Sequence, residues 1–303
     1  MSEKRVILAG GSGFIGRSLA RHLRHRGYRV VILTRTPQAR DDGVFELAWD
    51  GEHTGPWAKS LDGAEAVINL AGHTIDCPHT PENLAVITAS RVNSVRALAA
   101  ALPELTEPPR VWVQTSAAGF YGDTANHIRD ESSPAGKGPL ADVCRAWEDA
   151  FNAVPPPRPR SVVLRIGFVL GSKGGALPVL SKITKLFLGG AAGDGRQYIS
   201  WIHMADLRRM FVAAIEDNLS GVYNAVAPTP VTNAAFMKEL RHAWHRPWCP
   251  PAPAWAVRLG SRLMKTEPAL ALTSTRCLPR RFLEREFKFE FGQLEKALHD
   301  LCR

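Results

Sequence analysis

Seven consecutive residues, Gly10-Gly11-Ser12-Gly13-Phe14-Ile15-Gly16, carry the clearest chemistry in this chain. Glycines at 10, 13 and 16 meet three needs of a dinucleotide: a sharp turn, approach of the backbone to a pyrophosphate without a Cβ in the way, and close packing of the next helix on the strand before it. The start of that helix also offers unpaired N–H groups and partial positive charge to phosphates. Asn69-Leu70-Ala71-Gly72 supplies small residues that let a second backbone turn pass near ribose and pyrophosphate. At Thr34-Arg35-Thr36, with Arg40 beyond, no acid precedes Asp41, although an NAD enzyme places one there for the ribose 2′-hydroxyl. A guanidinium at that place suits a 2′-phosphate, so the expected cofactor is NADP(H). Two hydroxyls, Ser116 and Tyr121, are the candidates for polarising a carbonyl and moving a proton beside the nicotinamide.

A parallel sheet is expected to bring these residues together. Val6-Ile7-Leu8 is a short apolar run typical of a strand buried on both faces, and Ile15, Leu19 and Leu23 share one face of the helix that follows. Further strands are expected over Tyr28 to Thr34, Val44 to Ala48, Ala66 to Leu70 and Arg110 to Ser116. The third ends in Trp49-Asp50, where Asp50 faces the adenine or simply forms a turn. Thr80-Pro81 opens a helix to about Leu102, and the fifth strand delivers Thr115 and Ser116 to the carboxyl edge. A sixth strand spans Ser161 to Leu170, and Gly174-Gly175 opens a helix to about Leu188. Tyr198 to His203 and Gly221 to Ala225 complete the strands, Asp206 begins a helix, and Thr232 caps another. The expected class is α/β, a Rossmann doubly wound parallel sheet with a smaller C-terminal substrate lobe. Residues 1–170 form its NADP-binding domain, completed by 203–225, and residues 171–202 and 226–303 form the lobe.

Composition narrows the setting. No stretch approaches the ~18 apolar residues of a membrane span, and the first strand begins by residue 6, leaving no room for a signal peptide. A cytoplasmic protein is expected, with no membrane partner. The five cysteines, at 77, 144, 249, 277 and 302, are odd in number and lack CxxC spacing, so reduced thiols are expected. The net charge of +9 is scattered, which argues for a solvated surface with a bias toward an anionic ligand and against nucleic acid. His73, Cys77 and His79, and likewise His242, His245 and Cys249, read as surface and packing residues, so no metal is expected.

The glycine turn, Asn69-Leu70-Ala71-Gly72, the helix bearing Asn93, and Thr115-Ser116 followed by Tyr121-Gly122 resemble an extended short-chain dehydrogenase/reductase, the superfamily of sugar-nucleotide epimerases and dehydratases. Such enzymes take a proton with a tyrosine four residues before a lysine. If Glu148 matches the glutamate that often ends that motif, the tyrosine position is Leu140 and the lysine position Cys144, neither fit for acid–base work. Pro251 to Gly260, Leu278-Pro279 and the segment Phe282 to Phe291, read as a strand from its alternating Phe287, Phe289 and Phe291, resemble the C-terminal domain of unknown function of the "epimerase family" proteins. This atypical branch also carries the labels nucleoside-diphosphate sugar epimerase and cell-division inhibitor. The resemblance implies NADP(H) binding without the Tyr/Lys pair, and cofactor contacts from Thr34-Arg35, Leu70-Ala71 and Ser90-Arg91. It also implies a returning segment in which His203 and Asp206 are structural. Branch members carry an Arg-Trp pair where this chain has His79-Thr80-Pro81-Glu82-Asn83. The expected function is an epimerase-like NADP(H) oxidoreductase acting, as monomer or homodimer, on a carbonyl compound or nucleotide sugar. The alternative is an inactive NADPH-binding regulatory or scaffold protein linked to cell division.

Overall fold

The apolar run near the start forms β1 (Arg5–Ala9), and the glycine turn leads into α1 (Phe14–His25). The computed structural model describes residues 4–303. On one side of β1 lie β2 (Arg29–Thr34) and β3 (Phe45–Ala48). On the other lie β4 (Ala66–Asn69), β5 (Val111–Ala117) and β6 (Arg160–Ile166). The crossovers include α2 (Pro81–Ala101), whose Thr80 hydroxyl accepts from the Asn83 N–H, and α3 (Pro139–Asn152). Beyond β6 come β7 (Phe168–Leu170), α4 (Leu177–Lys185), β8 (Tyr198–Ile199), β9 (Trp201–His203), α5 (Met204–Glu216) and β10 (Gly221–Ala225).

Seven parallel strands result, in the order β10-β6-β5-β4-β1-β2-β3. The order reverses between β1 and β4, and in an open parallel sheet the ligand crevice forms outside the carboxyl ends at that point. Register places Ala9 beside both Leu33 and Asn69, so the glycine turn, Thr34 and Leu70 all emerge at one level. One sheet face packs Val6, Leu8, Val30 and Ile32 against Leu19 and Leu23 of α1 and Leu207 and Phe211 of α5. The other packs Ile7, Val31 and Leu33 in one cluster with Val95, Leu98, Trp147 and Phe151 of α2 and α3. At about 1.5–3 kcal/mol per buried large apolar side chain, these two layers hold the strand ends in fixed relation.

The rest of the chain adds β11 (Val231–Thr232), α6 (Asn233–Ala243), α7 (Ala254–Met264), α8 (Ala269–Leu272), α9 (Arg280–Glu284) and α10 (Leu294–Leu301). Of these, β11, α6 and α10 share a third core with Trp201 and Phe291, through Val231, Phe236, Leu240 and Leu298, while Phe282 of α9 packs in the cluster of α1 and α5.

Four elements differ from expectation, the first being the strand over Tyr198 to His203, which divides at Ser200 into β8, paired with β11, and β9, paired with β7. The single strand over 161–170 breaks at Gly167, where any Cβ would stand 2.3 Å from the Ser200 carbonyl oxygen; β7 leaves the sheet to pair with β9. The helix expected to reach Leu188 stops at Lys185. The expected strand over 282–291 is absent: Phe282 sits in α9, and the N–H groups of Glu290 and Phe291 donate to the Asp206 carboxylate instead of a neighbouring strand. His203 caps α5 by accepting from the Ala205 N–H, so both it and Asp206 serve the architecture.

Candidate active site

The glycine turn fits a pyrophosphate. Gly10 has φ +72°, and a Cβ there would stand 2.7 Å from Ala71 Cα, so this position admits only glycine. A Cβ on Gly16 would stand 2.3 Å from the Gly11 carbonyl oxygen, which is how α1 lies so close. Gly13 differs: its nearest neighbour would be the Gly10 oxygen at 3.9 Å, leaving open space before the first N–H groups of α1. The opening that a Cβ could enter is the opening a pyrophosphate needs.

Around the turn the structure gathers most of the expected cofactor residues. The Thr34 hydroxyl lies 3.1 Å from that of Ser12. Buried Asn69 donates to Ser94 and Gln114 while its Oδ1 accepts from the Ala71 N–H, fixing the Leu70-Ala71-Gly72 turn. Thr115 donates to the Asn69 carbonyl at 2.7 Å, tying β5 to β4. Arg91 donates to the carbonyls of His73 and Ile87 and lies over the Trp147 ring. The Phe14 ring, next to Ile15 at the start of α1, packs under Gly171, Gly174 and Gly175 of the segment after β7. Arg35 is exposed just past the end of β2, between Thr34 and Thr36, which both line a cavity beside the turn. Asp50 accepts from the N–H groups of Glu52 and His53 and from the His53 ring, which pulls its pKa down to about 2.

At the end of β5, Ser116 and Tyr121 join one buried network. The Ser116 hydroxyl donates to Glu148 Oε1 at 2.6 Å. Arg165 grips both oxygens of Glu148, Nε on Oε1 at 2.9 Å and NH2 on Oε2 at 2.8 Å. A third Arg165 nitrogen donates to the Tyr121 hydroxyl at 2.9 Å, which in turn donates to Asn224 Oδ1 at 2.8 Å. The Arg165 guanidinium also lies 3.4 Å from the centre of the Phe120 ring. Burial raises the Tyr121 pKa above the usual phenol value, despite the bond and charge of Arg165 working against it.

Leu140 and Cys144 of α3 face the same strand end: Leu140 Cβ and Cys144 Sγ lie 3.6 and 3.9 Å from where a Cβ on Gly119 would stand. Burial pushes the Cys144 thiol up to about 11, so it is protonated at neutral pH. Arg165 and Asn224 were not among the expected site residues. A signal existed: an arginine inside the apolar run Val162-Val163-Leu164-Arg165-Ile166 needs a buried acid.

Comparison with known proteins bears on this geometry. Residues 6–145 match the NAD dependent epimerase/dehydratase family, and residues 252–301 match a domain of unknown function, DUF1731. The human epimerase family protein SDR39U1 is 32% identical over 98% of this chain and 99% of its own. The chain belongs to this epimerase family. A second family member, YfhF of Bacillus subtilis, is 31% identical over 98% of this chain and 97% of its own. The crystal structure of the human family member, described as with NADPH, superposes with a TM-score of 0.87 at 32% identity, covering 98% of this chain and 99% of that one. UDP-glucose 4-epimerase of Thermus thermophilus in complex with NAD, at 18% identity and TM-score 0.76 over 99% of each chain, shares the fold. The resemblance read from the motifs and the Rossmann class both hold.

Proposed function

We propose that this family member binds NADP(H) at the glycine turn and transfers hydride from NADPH to a small carbonyl compound, with water in place of a Tyr/Lys dyad as the proton source. Gly10 to Gly16, Thr34, Arg35, Leu70 to Gly72, Arg91 and Thr115 would hold the cofactor, which supplies the hydride. One observation carries the reading. Both hydroxyls at the end of β5 are spent inside the Ser116–Glu148–Arg165–Tyr121–Asn224 network, and the dyad positions on α3 carry Leu140 and Cys144. Ser116 and Tyr121 then act as positioning residues that stiffen the strand ends against which the nicotinamide lies.

The direction of chemistry follows. An alkoxide left by hydride addition is basic enough to take its proton from water, so reduction needs no side-chain acid. Oxidation of an alcohol needs a base as the hydride leaves, and without one it proceeds only through the scarce alkoxide. Strict sugar-nucleotide epimerisation, which begins with that oxidation, is therefore disfavoured at neutral pH. We assign residues 1–170 with 203–225 to the cofactor half and the rest to the substrate half. We also place the protein in the cytoplasm, as monomer or homodimer; all five cysteines are free, and among the described residues no helix is long and apolar enough to cross a membrane.

The test is a panel of aldehydes, ketones and keto-sugar nucleotides followed by loss of NADPH absorbance. Turnover that survives Tyr121→Phe supports the reading, and turnover that collapses in that variant with its fold intact contradicts it. The same spent network favours one second reading, a cofactor-binding protein without turnover, whose signature is tight NADPH binding with no carbonyl reduced.

A further inference from the structure

Large apolar side chains left in solvent gather on one part of the chain. Along α7, Trp255, Leu259 and Leu263 stand four residues apart on one helical face, and Trp255 and Leu263 are 68% and 80% exposed. Ala254, Val257 and Ser261 take the side turned to the body, so it is the large residues that remain outside. Trp248, 73% exposed, precedes the helix, and Leu186, Phe187 and Leu188 after α4 are each more than half exposed. These two stretches run side by side. The Arg246 guanidinium lies 4.8 Å from the centre of the Phe187 ring, and Ala252 exchanges hydrogen bonds of 2.8 Å with Ala191 and Gly193. Just past α7, Glu267 accepts from the His79 N–H at 2.9 Å and Thr266 donates to Asp76, so the helix is held at both ends.

Charge decides what fits this face. No Asp or Glu occurs from Leu240 to Thr266 or from Gly171 to Gly193. Over the same stretches Arg258, Arg262 and Lys265 of α7 and Lys182 and Lys185 of α4 are exposed, and among the described residues none of the five pairs with a carboxylate. Arg258 and Arg262 are interleaved with Leu259 and Leu263 on the outer side of the helix. A groove on a protein partner would have to bury those guanidiniums together with the leucines, at a cost in desolvation. At a bilayer surface the conflict disappears: tryptophan and leucine sink to the headgroup boundary while the long basic stems reach lipid phosphates. We infer that the outer face of α7, with the 186–188 turn beside it, docks on a bilayer surface rich in anionic phospholipid. The expectation of no membrane partner came from the lack of a spanning run, and an interfacial face needs none.

The experiment is flotation of the whole protein with vesicles of phosphatidylcholine alone and of phosphatidylcholine with phosphatidylglycerol, at low and high salt. It uses the wild type and the variants Arg258→Gln/Arg262→Gln and Trp255→Ser/Leu259→Ser, whose exposed positions should leave the melting temperature within ~2 °C of the wild type. The wild type is expected to float with the mixed vesicles, to stay behind with phosphatidylcholine alone, and to be released by high salt. Each basic residue near an anionic surface contributes about fivefold, so the charge variant should bind at least ~10-fold more weakly, and the apolar variant should lose binding as well. Brominated lipid in the mixed vesicles should quench tryptophan fluorescence of the wild type, a readout that needs no variant. Flotation with neither vesicle or equally with both, a folded variant that floats like the wild type, or an absence of quenching overturns the inference. So does self-association of the wild type without flotation that Trp255→Ser/Leu259→Ser abolishes, which would make a second copy the occupant.

Discussion

Replacing Glu148 by glutamine removes the charge at the centre of the buried network while keeping its shape. The Glu148 and Arg165 side chains are 7% and 6% exposed, and three donors converge on the carboxylate at 2.6 to 2.9 Å. The variant leaves the Arg165 guanidinium buried without a counter-ion, and breaking one side of such a pair costs about 3–5 kcal/mol. For a chain of this length, an unfolding entropy of about 2.1 cal/mol/K per residue converts that cost to a fall in Tm of about 5–8 °C. Circular dichroism melts at low and high salt provide the assay, since a pair this buried is screened little. The double variant Glu148→Leu/Arg165→Met removes both charges, and replacing a whole buried pair by apolar residues is often close to neutral. It is therefore expected to recover more than half of the loss. A Glu148→Gln variant that melts within about 1 °C of the wild type, or a double variant no more stable than the single one, refutes the description of this network as a structural clamp.

Other expectations separate cofactor space from architecture. Gly13→Ala should fold normally and lose NADPH binding, because its Cβ meets no protein atom closer than 3.9 Å, whereas Gly16→Ala should lower Tm, because its Cβ would stand 2.3 Å from a carbonyl oxygen; calorimetry and melts on both variants check this. Burial, only partly offset by Asp300 and Asp206, lowers the His203 pKa below its ordinary 6.5. The unfolded chain therefore binds the proton first, and stability falls as pH drops below about 6.5 toward the lowered native value. In His203→Asn, which keeps a cap for α5, the fall in Tm between pH 7 and pH 5 should be shallower; the residual slope is assigned to His22, whose pKa burial also lowers. Cys77 is the one cysteine that is not buried, and burial pushes Cys144 and Cys277 up to about 11 and about 12. A chromogenic disulfide at pH 8 should therefore titrate one thiol in the native protein and five in guanidinium.

The frame and the glycine turn were legible because their signals are local. A strand buried on both faces must be an apolar run, and a pyrophosphate turn must lack Cβ atoms, so Val6 to Gly16 states its structure in order. The β6–β7 break at Gly167 was not legible, because its cause is the Ser200 carbonyl 33 residues on. Phe287, Phe289 and Phe291 alternate like a strand, yet the Phe287 N–H turns back to the Phe282 carbonyl and the Phe291 N–H goes to a side chain, Asp206, on a distant helix. Ser116 and Tyr121 were visible as hydroxyls at a strand end, but what engages them, Glu148, Arg165 and Asn224, comes from three different elements. Sequence shows that a group is present; it does not show that the group is already taken. The same holds for Arg40, a promising cation until its bonds to Asp42 and Glu46 are seen.

The proposal that water serves as the proton source is tested most directly by the pH dependence of both directions of one reaction, on whichever carbonyl compound the panel identifies. With no side chain titrating, NADPH-dependent reduction should be flat between pH 6 and pH 8, and oxidation of the product alcohol by NADP+ should rise about tenfold per pH unit without levelling. A profile that bends at a defined pKa in that range, and moves or vanishes in Tyr121→Phe, would show a working side-chain acid–base and contradict the account.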